Sequence, residues 1–350
     1  MTTLSSPIDG AGGARSRATM KDVAALAGVS LKTVSRVVNR EAGVSDELVA
    51  RVNRAAEQLD YRPNLTASNL RRADQRTGTI GLLVEDVANE FFASIHRGVE
   101  EVARERGVAV IAASLDRDPA MERDLVSAFA SRRVDGLILA PTAAEQGYLT
   151  TELRSGWPMV CIDRQPSGVD IESVVTDNRE AAAAGVHHLI RHGHRRIAFI
   201  GGQSTLSTEQ ARYAGFVDAM AKAGLQVVPA WVHHGAQDSD EAKDAALAIL
   251  TGDERPTAMF SGQNLITMGT VRALRELSLQ HRVALVGFDD FVLADLLDPA
   301  ITVVAQDARA IGHLAGDLLF RRMEDATQPT ATHVVPSTLV TRGSGEIPPE

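Results

Sequence analysis

The sequence is poor in cysteine and contains no long apolar run. Cys161 is the only cysteine among 350 residues, which rules out an intrachain disulfide, and its place in the apolar run PMVCID predicts a buried, inert thiol. The first 14 residues lack an apolar core, and no stretch reaches the roughly 18 apolar residues of a membrane span. We therefore expect a cytoplasmic protein with neither an export signal nor a membrane anchor.

Positive charge is scarce except towards the N-terminus. The formal net charge is -9, yet residues 1–76 contain 12 Lys and Arg against 8 Asp and Glu, a balance of +4. Residues 77–350 contain 24 against 37, a balance of -13. Only the N-terminal part therefore favours a polyanionic partner such as DNA.

The sequence also lacks the motifs of common α/β enzymes. It contains no G-x-G-x-x-G, no G-x-x-x-x-G-K-[ST], no H-E-x-x-H and no G-x-S-x-G. We therefore predict that the protein is not an enzyme and needs no cofactor.

Residues 19–60 contain three short segments with helical periodicity. Thr19, Ser30 and Ser45 precede them as helix caps. Apolar residues recur within each segment at spacings of three and four, which is typical of one buried helix face. The predicted three-helix core consists of Val23, Leu26, Ala27, Val34, Val37, Val38, Val49, Val52, Ala56 and Leu59.

The first two of these helices are joined as in a helix-turn-helix. Gly28 permits the sharp turn, and Ser30 caps a second helix of a size that enters a DNA major groove. On its exposed face, Arg36 suits a guanine, Lys32 a guanine or a phosphate, and Leu31 a thymine methyl group. The side chains of four further residues suit phosphate oxygens, namely Thr19, Thr33, Ser35 and Asn39, and we count Ser30 among the DNA-binding residues as well. A three-helix bundle that binds another protein fits the helix pattern alone equally well.

From Thr79 onward, short apolar runs such as TIGLLV, DGLILA, RIAFIGG and VALVGF alternate with amphipathic segments. Short strands without internal alternation, separated by helices, indicate parallel sheets that are covered on both faces. From Thr79 onward the sequence contains more predicted strands than a single doubly wound sheet usually has. We therefore predict two doubly wound α/β lobes with a cleft between them, lined by the carboxyl ends of the strands.

The segment VAALAGVSLKTVSRVVN, followed by VSDELVARVNRAAEQLDYRPNLTASNLRR, resembles the DNA-binding domain of the lactose-repressor/galactose-repressor family of bacterial transcription regulators. Similar segments continue in order along the chain, namely IGLLVEDVANEFFASIHRGVEEVARERG, VDGLILAP, PMVCIDR, VVTDN, HLIRHGHRRIAFIGG, QARYAGF and VALVGFDD. The resemblance implies an all-α helix-turn-helix headpiece followed by an α/β core like that of type I periplasmic sugar-binding proteins.

The resemblance also implies the domain boundaries. After a disordered tail over residues 1–17, it places the helix-turn-helix domain at 18–62 and a hinge helix or linker at 63–76. A two-lobed ligand-binding and dimerisation domain follows at 77–343, and residues 344–350 form a second tail. Lobe 1 covers about 77–175 and 306–334, and lobe 2 covers 176–305 and 335–343.

By the same resemblance, the hinge becomes ordered only on operator DNA. It begins with Asn64 and ends with Arg71, with Ala67 in the minor groove and Leu70 as a wedge between base pairs. Leu70 has no core to join, yet it can unstack a base step while the neighbouring arginines hold phosphates. An ordinary exposed linker residue is the alternative for Leu70.

In the core, the resemblance places a set of polar and aromatic residues at the cleft: Phe91, Phe92, Asp163, Arg164, Arg212, Gln263, Asp289 and Gln306. Gln263 and Asn264 stand where an Asn-Asp pair is usual in the family. Carboxylates accept hydrogen bonds from sugar hydroxyls, a guanidinium donates to them, and a Phe ring covers the apolar face of a sugar. Structural loop carboxylates and ordinary core contacts are the alternatives.

These features together predict a homodimeric transcription regulator, most simply a repressor, on a pseudo-palindromic operator. A small metabolite in the cleft would set the closure angle of the lobes and thereby order or disorder the hinge. Few aromatic residues are available in the cleft, which favours a sugar over a purine corepressor. A sugar-binding transport receptor is a further alternative, but it would not carry residues 19–72.

His188 and His192 have the i,i+4 spacing that zinc ligands have on a helix. No cysteine or carboxylate motif accompanies them in the sequence. We interpret the run HHLIRHGH as a helix end whose His and Arg suit the helix dipole, and we predict no metal site.

Overall fold

The structure is a computed structural model that describes residues 18–38, 43–61 and 76–350. The chain divides into two compact units, residues 1–77 and 78–350. In the part of the chain that is described, each helix is too short or too polar to cross a lipid bilayer.

The described part of the first unit consists of the helices α1 (Met20–Ala27), α2 (Leu31–Val38) and α3 (Asp46–Gln58). A capping box begins α1, because the Thr19 hydroxyl and backbone N–H both donate to the Asp22 carboxylate and the Asp22 N–H is directed back to Thr19. The predicted tail and nearly all of the predicted hinge lie outside the described residues.

The turn between α1 and α2 depends on Gly28. Its φ of 61° is left-handed, and its N–H donates to the carbonyls of Ala24 and Ala25 at the end of α1. Arg51 of α3 donates to the Gly28 carbonyl at 3.3 Å, so the third helix holds the turn in place.

One predicted core residue of this unit is wrong. Leu26 is 50% exposed, and Ala24 is buried instead, because a helix of two turns presents only one narrow face to its neighbours. The buried core comprises Val23, Ala24, Ala27, Val34, Val37, Val52 and Ala55.

The second unit is an α/β domain with two sheets. In chain order its strands are β1 (Thr79–Val84), β2 (Ala109–Ser114), β3 (Leu137–Leu139), β4 (Met159–Ile162), β5 (Glu172–Thr176), β6 (Ile197–Ile200), β7 (Val232–His233), β8 (Ala258–Ser261), β9 (Ala284–Phe288), β10 (Thr302–Ala305), β11 (Thr332–Val335) and β12 (Thr338–Val340). Its helices are α4 (Glu90–Glu105), α5 (Pro119–Ser131), α6 (Thr150–Arg154), α7 (Asn178–Arg191), α8 (Ser207–Lys222), α9 (Ser239–Leu250), α10 (Asn264–Glu276) and α11 (Ala308–Glu324), with 3₁₀ turns at Gly147–Leu149, Pro229–Trp231 and Gly343–Glu346.

The strand order is β11-β5-β4-β3-β1-β2 in the first lobe and β12-β10-β9-β8-β6-β7 in the second. Hydrophobic clusters cover both faces of each sheet, as expected for strands that are buried on both sides. The predicted parallel arrangement is confirmed, with one exception: β12 runs antiparallel to β10. The chain leaves β11 at the cleft and enters the second lobe from that same side, so β12 runs opposite to its neighbours.

Three connections cross between the lobes, after β5, after β10 and after β11. Two of them are joined by hydrogen bonds, because Ser337 donates its N–H to the Asp177 carboxylate at 2.8 Å and its hydroxyl lies 2.8 Å from that of Thr176. Two of the three crossing segments are therefore packed against each other between the lobes.

Glycines allow the covering helices to approach each other closely. A Cβ on Gly312 of α11 would lie 2.1 Å from the carbonyl oxygen of Ile95 in α4. A Cβ on Gly215 of α8 would lie equally close, at 2.1 Å, to the carbonyl oxygen of Arg179 in α7. Each lobe therefore has a helix pair in which backbone packs against backbone.

The predicted tail over residues 344–350 is wrong, because these residues pack on the second lobe. Ser344 is buried, and its hydroxyl donates to the Leu285 carbonyl at 2.7 Å. His194 contacts the Ile347 carbonyl at 2.8 Å, and Arg282 pairs with Glu350. Small and apolar residues among the last seven therefore cover the sheet rather than extend into solvent.

Candidate functional site

The carboxyl ends of strands from both sheets meet at one cavity. The empty space among its lining residues is about 440 Å³, open solvent at its mouth included. The residues that line it are Glu85, Asn89, Phe91, Phe92, Arg117, Asp163, Arg164, Gly202, Gln203, Leu206, Thr208, Glu209, Arg212, Gln263, Asn264 and Asp289.

Seven of the eight cleft residues predicted from the sequence line this cavity: Phe91, Phe92, Asp163, Arg164, Arg212, Gln263 and Asp289. Gln306 is not among the lining residues, and its side-chain amide instead donates to the Asp289 carboxylate at 2.6 Å. Gln306 thus orients a lining residue.

The two phenylalanines have different surroundings. Their rings meet edge to face at 5.1 Å between centroids. Phe92 is 5% exposed and belongs to the core of the first lobe, whereas Phe91 is only partly buried. Phe91 is therefore the ring more available to a ligand.

Glu85 links two arginines on the first-lobe side of the cavity. Its carboxylate accepts from Arg164 at 2.6 Å and from Arg117 at 2.7 Å. Burial alone would raise the pKa of Glu85, but the two guanidinium charges outweigh burial and hold the pKa below its ordinary value. Sequence reasoning missed Glu85, although its place directly after β1 is the same signal that identified Asp163 after β4.

Arg212 is held by neighbours from three elements. It donates to the Asn178 side chain and to the Gly262 carbonyl, both at 2.7 Å. Its guanidinium lies over the Phe288 ring, 3.9 Å from the centroid, which fixes its plane. The charge of Arg212 is therefore presented at the cavity in a rigid orientation.

Three buried carboxyl groups face this arginine and Arg164. Burial raises the pKa of Asp289 and of Glu209, with Arg212 opposing both shifts. Burial likewise raises the pKa of Asp163, with Arg164 opposing the shift. The carboxyl and guanidinium groups pair in two sets, Arg117–Glu85–Arg164–Asp163 on the first lobe and Glu209–Arg212–Asp289 on the second, so the cavity offers both hydrogen-bond acceptors and donors.

Polar contacts bridge the two lobes at the cavity. The side-chain amides of Asn89 and Asn264 donate to each other at 3.2 and 3.1 Å. Arg117 of the first lobe donates to the Gln237 carbonyl of the second at 2.9 Å. The lobes are thus in contact in front of the cavity, and Asn264 has a bridging role that its sequence context did not indicate.

In the first unit, the predicted DNA-facing side chains lie at the start and along one side of α2. Leu31 is 43% exposed and Lys32 is exposed, while Thr33, Ser35 and Arg36 are partly buried. Exposed apolar and basic side chains at the start of a recognition helix suit the major groove.

The caps already use some of the predicted phosphate-binding groups. The Thr33 N–H donates to the Ser30 hydroxyl at 3.1 Å, and the two hydroxyls lie 2.9 Å apart. Both donors of Thr19 serve the capping box of α1. Five other predicted DNA contacts lie outside the described residues: Asn39, Asn64, Ala67, Leu70 and Arg71.

Two family models match the chain. Residues 19–64 match the bacterial regulatory proteins of the lacI family, and residues 186–345 match a periplasmic binding protein-like domain. The ribose operon repressor of Escherichia coli K12 is 33% identical over 318 residues, which cover 89% of this chain and 94% of that protein.

Solved structures show the same architecture. The complex of the transcriptional regulator CelR with cellobiose is 31% identical, with a TM-score of 0.69, over 94% of this chain and 100% of that chain. The Lac repressor dimer bound to operator and the anti-inducer ONPF is 26% identical, with a TM-score of 0.82, over 94% and 99%. The chain therefore belongs to the lacI family of bacterial regulatory proteins, with an N-terminal helix-turn-helix domain and a periplasmic-binding-protein-like domain.

Proposed function

We propose that this protein is a homodimeric transcription repressor of the cytoplasm that binds a pseudo-palindromic operator, and that a sugar in the cavity controls its affinity for DNA. The observation that carries the proposal is the cavity lined by paired carboxyl and guanidinium groups from both lobes of a lacI-family chain.

The DNA-binding part of the proposal rests on α2. Leu31 and Lys32 are exposed at its start, and its opposite side contributes Val34 and Val37 to the core. Side chains on one face can then reach base edges while the other face anchors the helix. The Lac repressor dimer bound to operator supports the same use here, and a two-fold dimer requires a two-fold related site.

The character of the cavity lining favours a sugar over a purine. A stacked base needs flat apolar surfaces, whereas the aromatic lining here consists of Phe91 and the largely buried Phe92. Carboxylates such as Asp163 and Asp289 accept hydrogen bonds from hydroxyls, and Arg212 donates to them. The cellobiose complex of CelR supports a sugar as the ligand class.

The mechanism follows from the position of the carboxyl groups. Asp163 belongs to the first lobe and Asp289 to the second, so a ligand that bonds to both favours one closure angle. In this mechanism the closure angle decides whether the hinge at residues 63–76 becomes ordered on operator DNA. A sugar changes operator affinity only to the extent that it binds the two closure states unequally.

The experiment has two parts. Thermal-shift screening of the full chain against ribose, cellobiose, other sugars and purine bases identifies the ligand class. Fluorescence anisotropy on operator fragments selected from genomic DNA then measures affinity with and without the stabilising compound. Stabilisation by sugars with an altered operator affinity is expected. Stabilisation by purines alone would refute the assignment of a sugar as the ligand. Equal affinity for selected and random DNA would refute the proposed role as a transcription regulator.

A further inference from the structure

A buried histidine ring without a well-formed hydrogen bond lies at the end of α7. His188 is 2% exposed, and neither of its ring nitrogens has a partner in hydrogen-bond geometry among the described residues, although the Gly345 backbone interacts with the ring. The ring of His192 lies beside it, 4.4 Å between centroids. A buried imidazole that is poorly satisfied costs free energy, and a bound ion is one way to satisfy it.

The C-terminal segment brings a carboxylate to this histidine pair. Ser344 and Gly345 on one side of Glu346 bond to the second lobe, the latter through its N–H to the Thr302 hydroxyl at 3.1 Å. On the other side, the Ile347 carbonyl contacts His194 at 2.8 Å. The backbone of Glu346 is therefore fixed, and its carboxylate lies with the two imidazoles so that one donor atom of each is within 4.8 Å of the others.

The tautomer of His192 is set for ligation. Its Nδ1 lies 2.9 Å from the His188 carbonyl oxygen, which can only accept, so Nδ1 carries a proton and Nε2 is the ring nitrogen that can bind a metal ion. A backbone carbonyl that accepts from the other ring nitrogen is the usual support of a metal-bound histidine.

We propose that His188, His192 and Glu346 form a binding site for a divalent transition metal ion of the zinc type. Two imidazole nitrogens and one carboxylate oxygen are ligands that zinc prefers, and a water completes the tetrahedron. In a tetrahedral zinc site the ligating atoms lie about 3.4 Å from one another. The three side chains must therefore each move towards the ion by roughly an ångström when it binds. The partly buried His192 and the exposed Glu346 have room for this movement.

The site is separate from the cavity. His188 lies ten residues along α7 from Asn178, the residue that holds Arg212, which corresponds to about 15 Å of helix. A bound ion would tie the C-terminal segment to α7 and stabilise the second lobe. Metal binding at this site is therefore independent of the effector that occupies the cavity.

The test uses the full chain without a histidine tag, treated with a chelator and then titrated with Zn²⁺ in a calorimeter. One strongly bound ion per chain and a higher melting temperature are expected. His192→Gln and Glu346→Gln should each weaken binding at least ~10-fold. Glu346 is exposed, so its variant leaves the core intact and keeps the test valid even where a histidine variant misfolds.

His187→Gln is the matched control, because His187 is on the same helix and bonds to the Ala183 carbonyl at 2.7 Å without belonging to the cluster. It should bind Zn²⁺ as tightly as the unaltered chain. The proposal is overturned if no ion binds stoichiometrically, or if all three variants bind Zn²⁺ with the same affinity as the unaltered chain.

Discussion

Asp163 and Asp289 occupy equivalent positions in the two lobes. Each follows the end of a central strand with a left-handed backbone, φ 65° and 66°, and each donates its N–H to the next strand, to Val174 at 2.9 Å and to Val304 at 2.8 Å. Left-handed backbone at a non-glycine residue is uncommon and is held here by the neighbouring strand. The fold thus presents an equivalent aspartate from each lobe to the same cavity.

Asp289→Asn should weaken effector binding and leave operator binding intact. The amide has the shape of the carboxylate but no charge, and a hydrogen bond to a charged group contributes about 1.5 to 3 kcal/mol. Calorimetry with the stabilising sugar should show affinity lower by roughly one to two orders of magnitude. Asp290→Asn is the control, because Asp290 is exposed and pairs with Arg342 instead. Unchanged sugar affinity in Asp289→Asn would remove this residue from the site.

Effector affinity should fall on acidification. Burial raises the pKa of Asp163, Glu209 and Asp289 in the free protein, and bound hydroxyl groups favour the ionised forms. The affinity for the effector therefore has its full value at a pH above these raised pKa values, and it decreases as the pH falls through them. In the free protein the sign is opposite: these groups stabilise the fold most at low pH, and their contribution diminishes as the pH rises through the folded-state pKa.

Calorimetric titrations from above neutral pH down to the ordinary carboxyl pKa of about 4 measure this dependence. Asp289→Asn should flatten the profile, because one titrating group is removed. An affinity that increases towards low pH would contradict the proposed role of the carboxylates.

Lys32→Ala should weaken operator binding and lower its salt dependence. Lys32 is exposed at the start of α2, and the loss of one phosphate contact reduces the slope of log K against log salt by about 1. Lys21→Ala removes the same charge from an exposed position on α1 and serves as control. Anisotropy titrations at several salt concentrations compare the two, and equal slopes would show that Lys32 contacts no phosphate.

Leu70→Ala should remove most specific operator affinity without changing the fold. Leu70 lies outside the described residues, so its role as a wedge remains a prediction from the sequence. The wedge would stabilise only the bent DNA complex, by unstacking a base step. Gel-shift titration measures the affinity and circular dichroism the fold. An unaltered gel shift would make Leu70 an ordinary linker residue.

Gly312→Ala should destabilise the core domain. The added Cβ would meet the Ile95 carbonyl at 2.1 Å, and forced overpacking costs about 1 to 3 kcal/mol. Gly147→Ala meets no atom within 4 Å and should change stability by less than about 0.5 kcal/mol. Thermal unfolding of both variants measures the difference. Equal melting temperatures would show that α4 and α11 can move apart without loss of stability.

Polar residues that directly follow an apolar strand can be predicted to lie at the cavity, whereas cavity residues elsewhere in the chain cannot. Asp163 and Asp289 follow recognisable apolar runs, so their position was predictable. Glu209 lies within α8, and its carboxylate reaches the cavity because the Gly202 N–H binds it at 2.8 Å. No local pattern in the sequence encodes that contact.

The sequence by itself determined the helix-turn-helix, its caps, the two-lobed α/β architecture and the family, because periodicity and capping depend on residues only a few positions apart. Only the tertiary structure decided that Leu26 is exposed, that β12 runs antiparallel and that residues 344–350 pack. It also decided that Glu346 meets His188 and His192. Such contacts join residues that are far apart in the sequence, and they depend on how the two sheets and their helices pack. Helical or strand periodicity contains no information about these long-range contacts.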